Sequence, residues 1–500
     1  MLRIRWPGEN AQVYGPSRLA VARPGAGERT RMTRNTLARP TVGIVGVGYM
    51  GIATGLAFAH RGRRVLAYDR SPFVRTALRE GRSPFREEGL PELLRAETRR
   101  GRFAVVETVA ELAEAADCIF LCLPTPSGPG GRVDLGPLRV AVGELGRALR
   151  GVSGYRLVVV KSTVVPGTTQ EVVEPLLRET SRKGPSSLGV AVNPEFLSEG
   201  RMVEDALHPR RIVVGATDAR SRQYLRAAYS GFHAPTLELS LSSAELVKHA
   251  SNAFLALKVS YANELSRWTE RLGGNVDEVA VAVGADPRIG PAFLRAGPGF
   301  GGSCFDKDLR AFLRRGEELG LRVRSAEAAL AINEDQTAHA FELIRRSAGH
   351  LRGKAVAVLG VAFKPGTDDV RESRAFPIVA RLVAAGAHVR LHDPVALGNF
   401  EREWRRSSVK RRHRVTFART VRGALRGADA AVLQADWPEY LRWRDEWSRA
   451  MRTPLLVDLR RALSPRWRRG AKLRVVALGV GATRPARPAR AGPLKPRRPS

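Results

Sequence analysis

A cysteine with charged neighbours follows a glycine-rich stretch in the second half of the chain. Residues 297–308 read GPGFGGSCFDKD, so Cys304 comes just before Lys307 and Asp308. The stretch lacks the Lys-Ser or Lys-Thr pair of a phosphate-binding loop. A helix beginning near Phe305 would stabilise a thiolate at Cys304, and a thiolate is a nucleophile that can form covalent intermediates. The alternative is a small buried apolar residue, which is common for a lone cysteine.

A lysine and an asparagine share one face of a predicted helix. The pattern from Ser243 to about Leu272 is helical and contains no proline, and Lys248 and Asn252 are four residues apart within it. An ammonium group and a carboxamide on one face could stabilise a developing oxyanion. The alternative is that Lys248 is a solvated lysine on a helix surface.

A second glycine-rich turn has the spacing of a dinucleotide site. Gly46, Gly48 and Gly51 follow a predicted strand and open a predicted helix. These glycines would permit a tight turn, close approach of a pyrophosphate and close packing of the helix. Asp69 ends the next strand about twenty residues later, where it would bind ribose hydroxyls and favour NAD over NADP. The alternative is a glycine turn without a ligand.

Short apolar strands that alternate with helical patterns must position these residues. Because this alternation is typical of parallel sheets covered by helices, it predicts an α/β fold with doubly wound sheets. A second strand–helix–strand pattern begins after Gly353, so we expect two Rossmann-like domains joined by the long central helix. Glu195 and Glu199 follow a strand at its carboxyl end, the usual ligand side of such sheets. The predicted strands are 41–45, 64–68, 117–123, 156–160, 189–192, 355–359 and 388–391.

The composition is that of a globular protein. Hydrophobic residues make up 43% and charged residues 26%, and no apolar run approaches the ~18 residues that span a bilayer, so we expect no membrane contact. Lys+Arg 83 against Asp+Glu 49 gives a net charge of +34, which suits phosphorylated substrates or polyanionic partners. The three cysteines are too few for a disulfide framework, which favours the cytoplasm. Cys118 and Cys122 lie on an apolar strand and are predicted to be structural.

Nine motifs in order along the chain resemble the UDP-glucose/GDP-mannose dehydrogenase family, which oxidises the C6 alcohol of a nucleotide sugar to a carboxylate. Nine ordered motifs are far more specific than any one of them. They comprise the Gly46–Gly51 turn, 84–94 (PFREEGLPELL), 123–126 (LPTP), 161–166 (KSTVVP), 193–197 (NPEFL), 245–252 (ELVKHASN), 286–290 (DPRIG), 301–304 (GGSC) and 363–373 (FKPGTDDVRES).

The resemblance implies two successive hydride transfers to two NAD⁺. In the first step, water held by Asp308 and Lys248 would take the proton of the 6-hydroxyl while hydride leaves C6. The Cys304 thiolate would then add to the aldehyde, and a second oxidation of the thiohemiacetal would produce a thioester. Lys248 and Asn252 would stabilise the oxyanions.

The resemblance also implies the groups that release the product and bind the ligands. Glu195, and Thr163 through a water, would orient the hydrolytic water. Arg288 would reach the partner's substrate in a homodimer or higher homo-oligomer. The implied cofactor contacts are Gly46, Gly48, Tyr49, Met50, Gly51, Asp69, Thr125, Thr163, Glu199, Lys307 and Arg371. The implied substrate contacts are Glu195, Phe196, Leu197, Glu199, Lys248, Asn252, Arg288, Phe293, Phe300, Gly301, Lys364 and Arg460. No metal is implied.

The resemblance also gives the expected domain organisation. The central helices would form the dimerisation domain, and the second Rossmann-like domain would bind the nucleotide sugar. Met32 is an alternative start of the chain. We expect a disordered basic extension at 1–39, an NAD-binding Rossmann domain at 40–235, a central helical domain at 236–345, a nucleotide-sugar-binding domain at 346–481 and a disordered basic tail at 482–500.

Several alternatives stay open on the sequence alone. The motifs favour UDP-glucose, oxidised to UDP-glucuronate, over GDP-mannose; UDP-N-acetylhexosamines are disfavoured because Ser303 stands where their enzymes carry histidine. The arginine-rich termini could bind nucleic acid, but no known binding module is present, so we expect no specific nucleic-acid partner. A module that senses NAD without turnover would keep its ligand affinity in Cys304→Ala, whereas an enzyme would lose acid formation.

Overall fold

The computed structural model describes residues 39–442, 444–464, 467 and 472–481. The extension expected at 1–39 lies outside the described residues except for its last residue, as do Met32 and the tail expected at 482–500. The described chain divides into two compact units. Unit 1 comprises the residues up to Gly128 and 133–248, and unit 2 comprises 129–132 and the residues from His249 onward.

Parallel strands form the centre of unit 1. Its strands are β1 (Val42–Val45), β2 (Val65–Tyr68), β3 (Phe103–Val105), β4 (Cys118–Leu121), β5 (Arg156–Val160), β6 (Leu188–Val192), β7 (Ile212–Ala216) and β8 (Thr236–Leu239). In the described part of unit 1 they form one sheet in the order β3-β2-β1-β4-β5-β6-β7-β8, in which only the β6–β7 pair is antiparallel. Every residue of β1, β4 and β6 is buried, as the continuous apolar runs predict.

Helices connect these strands and cover the sheet. They are α1 (Tyr49–His60), α2 (Pro72–Arg79), α3 (Leu90–Arg99), α4 (Val109–Ala115), α5 (Gly136–Leu149), α6 (Glu174–Ser181), α7 (Met202–Leu207) and α8 (Ala219–Ala228). Several begin at a side chain that caps the first turn: Ser71 accepts a hydrogen bond from the Val74 amide, Thr108 from Glu111 and Asp218 from Ser221. A short π-helix, Thr169–Val173, leads into α6.

One long helix carries the chain from unit 1 into unit 2. This helix, α9 (Leu241–Leu272), has 32 residues, and the division between the units falls between Lys248 and His249. It coincides with the proline-free helical pattern of the sequence. Among the described residues, no helix combines the length and the apolar character needed to cross a membrane.

Unit 2 contains a second parallel sheet. Its strands are β9 (Ala355–Leu359), β10 (His388–His392), β11 (Val415–Phe417), β12 (Ala430–Leu433), β13 (Leu455–Asp458) and β14 (Arg474–Ala477). Among the described residues they are ordered β11-β10-β9-β12-β13-β14, which repeats the order of the first six strands of unit 1. The expected fold class, with two doubly wound sheets and a long central helix, is therefore confirmed.

The helices of unit 2 precede the second sheet and alternate with its strands. They are α10 (Val276–Gly284), α11 (Phe305–Glu318), α12 (Arg324–Ala348), α13 (Ala375–Ala384), α14 (Leu397–Arg406), α15 (Val421–Leu425), α16 (Pro438–Arg442) and α17 (Arg444–Ala450). Trp404 and Phe400 of α14 are completely or almost completely buried, and Phe376 of α13 packs against both rings. These aromatic contacts belong to the core of unit 2.

A buried arginine joins α1 to the carboxyl end of α8. Arg63 is 3% exposed, and its guanidinium donates to the carbonyl oxygens of Ala227, Ala228 and Ser230. Carbonyl groups at the end of a helix have no partner within the helix, so this cation satisfies groups that would otherwise be buried without hydrogen bonds.

We therefore expect Arg63→Met to lower the free energy of unfolding by about 2–4 kcal/mol, since three buried carbonyls lose a charged donor. The matched control is Arg64→Met, which removes the same charge from an exposed neighbour and should cost less than about 0.5 kcal/mol. Urea denaturation of both variants measures the difference. Equal losses in the two variants would contradict the assigned role of Arg63.

Candidate active site

The glycine-rich turn after β1 fits a dinucleotide. Gly46 has a φ of 91°, and a Cβ on Gly51 would lie 2.0 Å from the Gly46 carbonyl oxygen, so both positions need glycine for backbone reasons. Gly48 differs because a Cβ there would meet nothing within 4 Å. The open space at Gly48, at the N-terminus of α1, leaves room for a pyrophosphate to approach the backbone. Tyr49 and Met50 begin α1 directly after it.

Asp69, the residue expected to bind the ribose hydroxyls, follows the end of β2. One carboxylate oxygen of Asp69 accepts the Val47 amide at 2.7 Å, and the other accepts the Ser71 amide at 2.9 Å. Each carboxylate oxygen has two lone pairs, so both keep one for a ribose hydroxyl. The glycine turn, the helix N-terminus and this carboxylate together meet the requirements of NAD.

The second sheet has a similar glycine turn, but the aspartate beside it is not available to bind a dinucleotide. Gly360 follows β9 with the same φ of 91°, and Asp393 follows β10. The Asp393 carboxylate, however, accepts the four backbone amides of residues 361, 362, 395 and 396 and the Trp437 indole N–H. These donors use the lone pairs that Asp69 keeps available, so the dinucleotide features belong to unit 1.

Two threonines follow the carboxyl ends of β4 and β5. Thr125 is buried, and its hydroxyl donates to the Thr163 carbonyl oxygen at 2.9 Å. This bond holds the Thr125 side chain against the backbone of Thr163. The structure therefore brings together two residues that the resemblance assigned separately.

An ion pair joins the loop after β6 to α9 within unit 1. The Lys248 Nζ lies 2.8 Å from one carboxylate oxygen of Glu195, and the side chains are only 6% and 12% exposed. The other oxygen of Glu195 accepts the Leu197 amide at 2.6 Å. Lys248 also lies 5.8 Å from the centre of the Phe196 ring, and the Arg211 guanidinium lies 4.0 Å from the same centre. Lys248 is therefore no solvated surface lysine. Glu199, four residues after Glu195, is partly buried.

In unit 2, the cysteine that the sequence predicts to be a nucleophile lies at the start of α11. Cys304 immediately precedes the first residue of that helix and is exposed, so the alternative of a small buried apolar residue is wrong for it. By contrast, Cys118 and Cys122 are buried, and burial raises the pKa of the Cys122 thiol to about 12. A thiol at a helix N-terminus is favoured as the thiolate, which is the nucleophilic form.

Asp308 lies one turn after Cys304 and is almost completely buried. Its carboxylate accepts the Asn252 amide N–H at 2.7 Å, and its other oxygen lies 2.8 Å from the Lys307 Nζ. Asp308 itself is 1% exposed. The carboxylate is thus held in one orientation by a carboxamide from α9 and an ammonium group from α11. Asn252 therefore has a second role, as the support of Asp308.

The remaining residues of unit 2 that the resemblance implies as substrate contacts differ in their surroundings. Phe300 is buried and exchanges two hydrogen bonds with the Asn333 side chain, and a Cβ on Gly301 would lie 2.5 Å from the Glu372 carbonyl oxygen. Phe293 is 44% exposed with a φ of 65°. Arg288 is extensively exposed and forms a two-pronged pair with Asp286 of the same loop.

The expected nucleotide contacts occupy the carboxyl edge of the second sheet. Arg460 donates to the Gln434 carbonyl at 2.6 Å and to the Phe363 carbonyl at 2.9 Å, and burial lowers the pKa of its guanidinium. The Lys364 Nζ lies 5.4 Å from the centre of the Phe363 ring. Phe363 thus contacts both cations, Arg460 through its carbonyl oxygen and Lys364 through its ring. Arg371 instead pairs with Asp369 of its own loop.

Sequence reasoning missed two buried charged residues of unit 1. Lys161 follows β5 and donates to the Asn193 side chain at 2.8 Å. Glu245 of α9 accepts the amides of Gly167 and Thr169, and burial raises the pKa of its carboxyl group. A lysine directly after four buried apolar residues was the available signal for Lys161. Across the described ranges, no group of three His, Cys, Asp or Glu could hold a metal ion.

Comparisons with known proteins agree with this geometry. Family models of the UDP-glucose/GDP-mannose dehydrogenase family match its NAD binding domain at 40–233, its central domain at 242–335 and its UDP binding domain at 357–465. A UDP-glucose 6-dehydrogenase of Haloferax volcanii is 39% identical over 430 residues, or 85% of this chain and 97% of the relative. One from Bacillus subtilis is 35% identical over 398 residues, or 80% and 84%. The solved UDP-glucose dehydrogenase of Pyrobaculum islandicum superposes with a TM-score of 0.80 at 38% identity, covering 90% of this chain and 100% of that one.

A doubly wound domain with this glycine turn and carboxylate, followed by a nucleotide-binding domain, defines an NAD-dependent dehydrogenase of nucleotide sugars. The chain belongs to the UDP-glucose/GDP-mannose dehydrogenase family, since the three family models cover most of its length. The expected cofactor, NAD, and the expected class of substrate are therefore confirmed.

The two glycines of the turn predict different consequences of substitution. Gly48→Ala should reduce NADH affinity about tenfold, or ~1.4 kcal/mol, because its methyl group enters the open space, while the melting temperature without NADH stays unchanged. Gly51→Ala should lower both the NADH affinity and the melting temperature, because its methyl group collides with the Gly46 carbonyl. NADH fluorescence titration and thermal unfolding measure the two effects. Unchanged NADH affinity in Gly48→Ala would contradict the placement of the cofactor.

Proposed function

We propose that this chain oxidises C6 of UDP-glucose to the carboxylate of UDP-glucuronate in two two-electron steps. The observation that carries the proposal is an exposed Cys304 at the start of α11, with the buried and paired Asp308 one turn later. The names of the relatives support UDP-glucose rather than GDP-mannose or a UDP-N-acetylhexosamine as the substrate.

In the first oxidation, a water held by Asp308 and Lys248 takes the proton of the 6-hydroxyl. Bound NAD⁺ supplies the hydride acceptor for each of the two oxidations. Asp308 suits this role because Asn252 and Lys307 fix its carboxylate and leave it little freedom to turn. The product of the step is the aldehyde.

Cys304 then retains the aldehyde as a covalent intermediate. The thiolate forms a bond to the aldehyde carbon, and the electron pair of the C=O double bond moves to oxygen as an oxyanion. Lys248 and Asn252 stabilise this charge, and each such donor is worth roughly 3 kcal/mol of barrier. Loss of the second hydride from C6 converts the thiohemiacetal into a thioester.

Hydrolysis of the thioester completes the reaction. Water adds to the thioester carbon, the C–S bond breaks, and the sulfur leaves as the thiolate with which the cycle began. Glu195 orients this water, and Thr163 does so through a second water. The ion pair with Lys248 and the Leu197 amide hold the Glu195 carboxylate in place.

The same proposal assigns the cofactor and the nucleotide sugar to particular residues. The Gly46–Gly51 turn and Asp69 hold the cofactor, with Thr125, Glu199, Lys307 and Arg371 as further contacts. Lys364 and Arg460 hold the nucleotide of the substrate, while Phe196, Leu197, Phe293, Phe300 and Gly301 contact the sugar. We assign the NAD-binding domain to 40–235, the central helical domain to 236–345 and the nucleotide-sugar-binding domain to 346–481. The three matched family models support this division.

Three free thiols support a reducing compartment for this enzyme. None of Cys118, Cys122 and Cys304 is in a disulfide, and the proposed mechanism requires the Cys304 sulfur in its reduced form. We therefore propose that the enzyme works in the cytoplasm.

The decisive experiment supplies UDP-glucose, GDP-mannose and UDP-N-acetylglucosamine separately and counts NADH formed per sugar consumed. We expect two NADH per UDP-glucose and little turnover of the others. Cys304→Ala should reduce formation of UDP-glucuronate by about 10³-fold or more, because the covalent intermediate cannot form.

Ser303→Ala is the matched control, since it keeps the Cys304 sulfur and removes only the neighbouring hydroxyl, which lies 3.9 Å from that sulfur. It should retain most of the activity. One NADH per sugar would show an alcohol dehydrogenase that stops at the aldehyde, and absence of NADH with UDP-glucose would refute the substrate assignment.

We further propose that the enzyme is a homodimer that uses the exposed face of α9. Phe254, Tyr261 and Trp268 recur every seven residues on this helix and are 63%, 46% and 64% exposed, and Leu272 is 77% exposed. A spacing of seven places them on one stripe of the helix, and an exposed apolar stripe of this size favours burial against another chain. A second copy of this chain is the partner that the family resemblance implies, and Arg288 would reach the substrate of that copy.

Trp268→Glu should therefore convert the dimer into a monomer at micromolar protein concentration, because an unpaired carboxylate would be buried in the interface. Leu321→Glu is the control, since Leu321 is 62% exposed in unit 2 but lies outside α9. Sedimentation velocity measures both species. A monomeric wild-type protein, or a dimer that both variants leave intact, would refute this interface.

A further inference from the structure

A lysine with no carboxylate hydrogen-bonded to it is buried at the end of β5. Lys161 is 6% exposed, and its Nζ donates to the side-chain oxygen of Asn193 at 2.8 Å and to the Asn193 carbonyl oxygen at 3.5 Å. Burial of an ammonium group with only neutral acceptors costs free energy. A functional role would explain why such a charge is buried here.

Asn193 connects this lysine to the loop that carries Glu195. Its backbone N–H donates to the Val160 carbonyl at 2.9 Å, and its side-chain N–H donates to the Val213 carbonyl at 2.7 Å. Its side-chain oxygen also accepts a hydrogen bond from the Tyr229 hydroxyl. Asn193 is therefore fixed on every side, and Glu195 follows it after a single proline.

The titratable groups around Lys161 come from four elements. Cys122 follows β4, Glu195 follows β6, Tyr229 follows α8 and Lys248 belongs to α9. Burial raises the pKa of Cys122 to about 12 and also raises the pKa of Tyr229, so both are neutral at physiological pH. The charges in this group are consequently those of Lys161, Glu195 and Lys248.

These three charges act on one another. Burial lowers the pKa of Lys161 to about 8, the negative charge of Glu195 raises it, and the positive charge of Lys248 lowers it. By reciprocity, a protonated Lys161 attracts the Glu195 carboxylate and repels the Lys248 ammonium group. Lys161 is therefore protonated below a pH of about 8 and loses its charge above it.

We propose that Lys161 is a positioning residue for the Glu195–Lys248 pair: it fixes the Glu195 loop through Asn193, and its positive charge attracts the Glu195 carboxylate and repels the Lys248 ammonium group. This inference rests on the proposed function only in that Glu195 and Lys248 act on the substrate.

Lys161→Met tests the charge through the pH dependence of kcat. Removal of a positive charge favours the protonated forms of both Glu195 and Lys248, so both limbs of the profile should move to higher pH, by about 0.5–1 unit. Lys161→Gln restores a hydrogen-bond donor to Asn193 without the charge, so it should show the same displacement with a smaller loss of kcat. It also serves as the second variant if Lys161→Met does not fold.

Tyr229→Phe is the matched control. It removes another hydrogen bond to the same Asn193 oxygen without a change of charge, so kcat should fall by less than about threefold and the limbs should stay in place. If the pH profile of kcat keeps both limbs at the wild-type pH in both Lys161 variants, the proposal is overturned, because the lysine would then be a structural residue only.

A second measurement does not depend on turnover. A double-mutant cycle compares Lys161→Met, Glu195→Gln and the variant that carries both changes. If the two charges are coupled, the shifts in unfolding temperature at pH 7 should be non-additive, by about 2 °C or more. Additive shifts would overturn the proposal even if the enzyme oxidises UDP-glucose. Non-additive shifts in a protein that does not oxidise UDP-glucose would refute the proposed function and leave the coupling of Lys161 to Glu195 standing.

Discussion

A buried parallel strand can carry polar side chains only where it ends, and the arrangement of unit 1 follows from this constraint. Its central strands are apolar and covered on both faces, so polar groups lie just beyond their carboxyl ends. The glycine turn follows β1, Asp69 follows β2, and Thr125 follows β4. Lys161 and Glu195 follow β5 and β6. Adjacent strands are hydrogen-bonded in register, so residues far apart in sequence become neighbours at one edge.

The central helix has an unusual distribution of side chains. Its polar Glu245, Lys248 and Asn252 are 2%, 5% and 7% exposed, whereas its aromatic Phe254 and Trp268 are 63% and 64% exposed. A helix of a monomeric protein normally buries its apolar face and exposes its polar face. Here each buried polar group has a specific partner: Glu245 binds two backbone amides, Lys248 pairs with Glu195, and Asn252 supports Asp308. The helix therefore buries polar groups that have specific partners and exposes an apolar stripe, which is why we propose that this stripe binds a second chain.

The two sheets share an order of strands but differ in what the loops after them can bind. Gly46 and Gly360 have the same backbone conformation, and an aspartate follows the second strand of each sheet. Asp69 accepts two backbone amides and keeps lone pairs for a ligand, whereas Asp393 accepts four amides and an indole N–H. The same topology thus serves a dinucleotide in unit 1, while unit 2 offers the cations Lys364 and Arg460 instead. The chemistry of the loops, rather than the topology, distinguishes the two sheets.

Local patterns in the sequence were sufficient for seven of the fourteen described strands, the long helix, the glycine turn and the helix that begins after Cys304, because each depends on residues close together in the chain. They could not predict that Lys248 is buried against Glu195, that Asn252 supports Asp308 from 56 positions away, or that Lys161 is buried on Asn193. Burial and pairing of a charge depend on which distant elements pack around it, so only the tertiary structure decides the electrostatics of these residues.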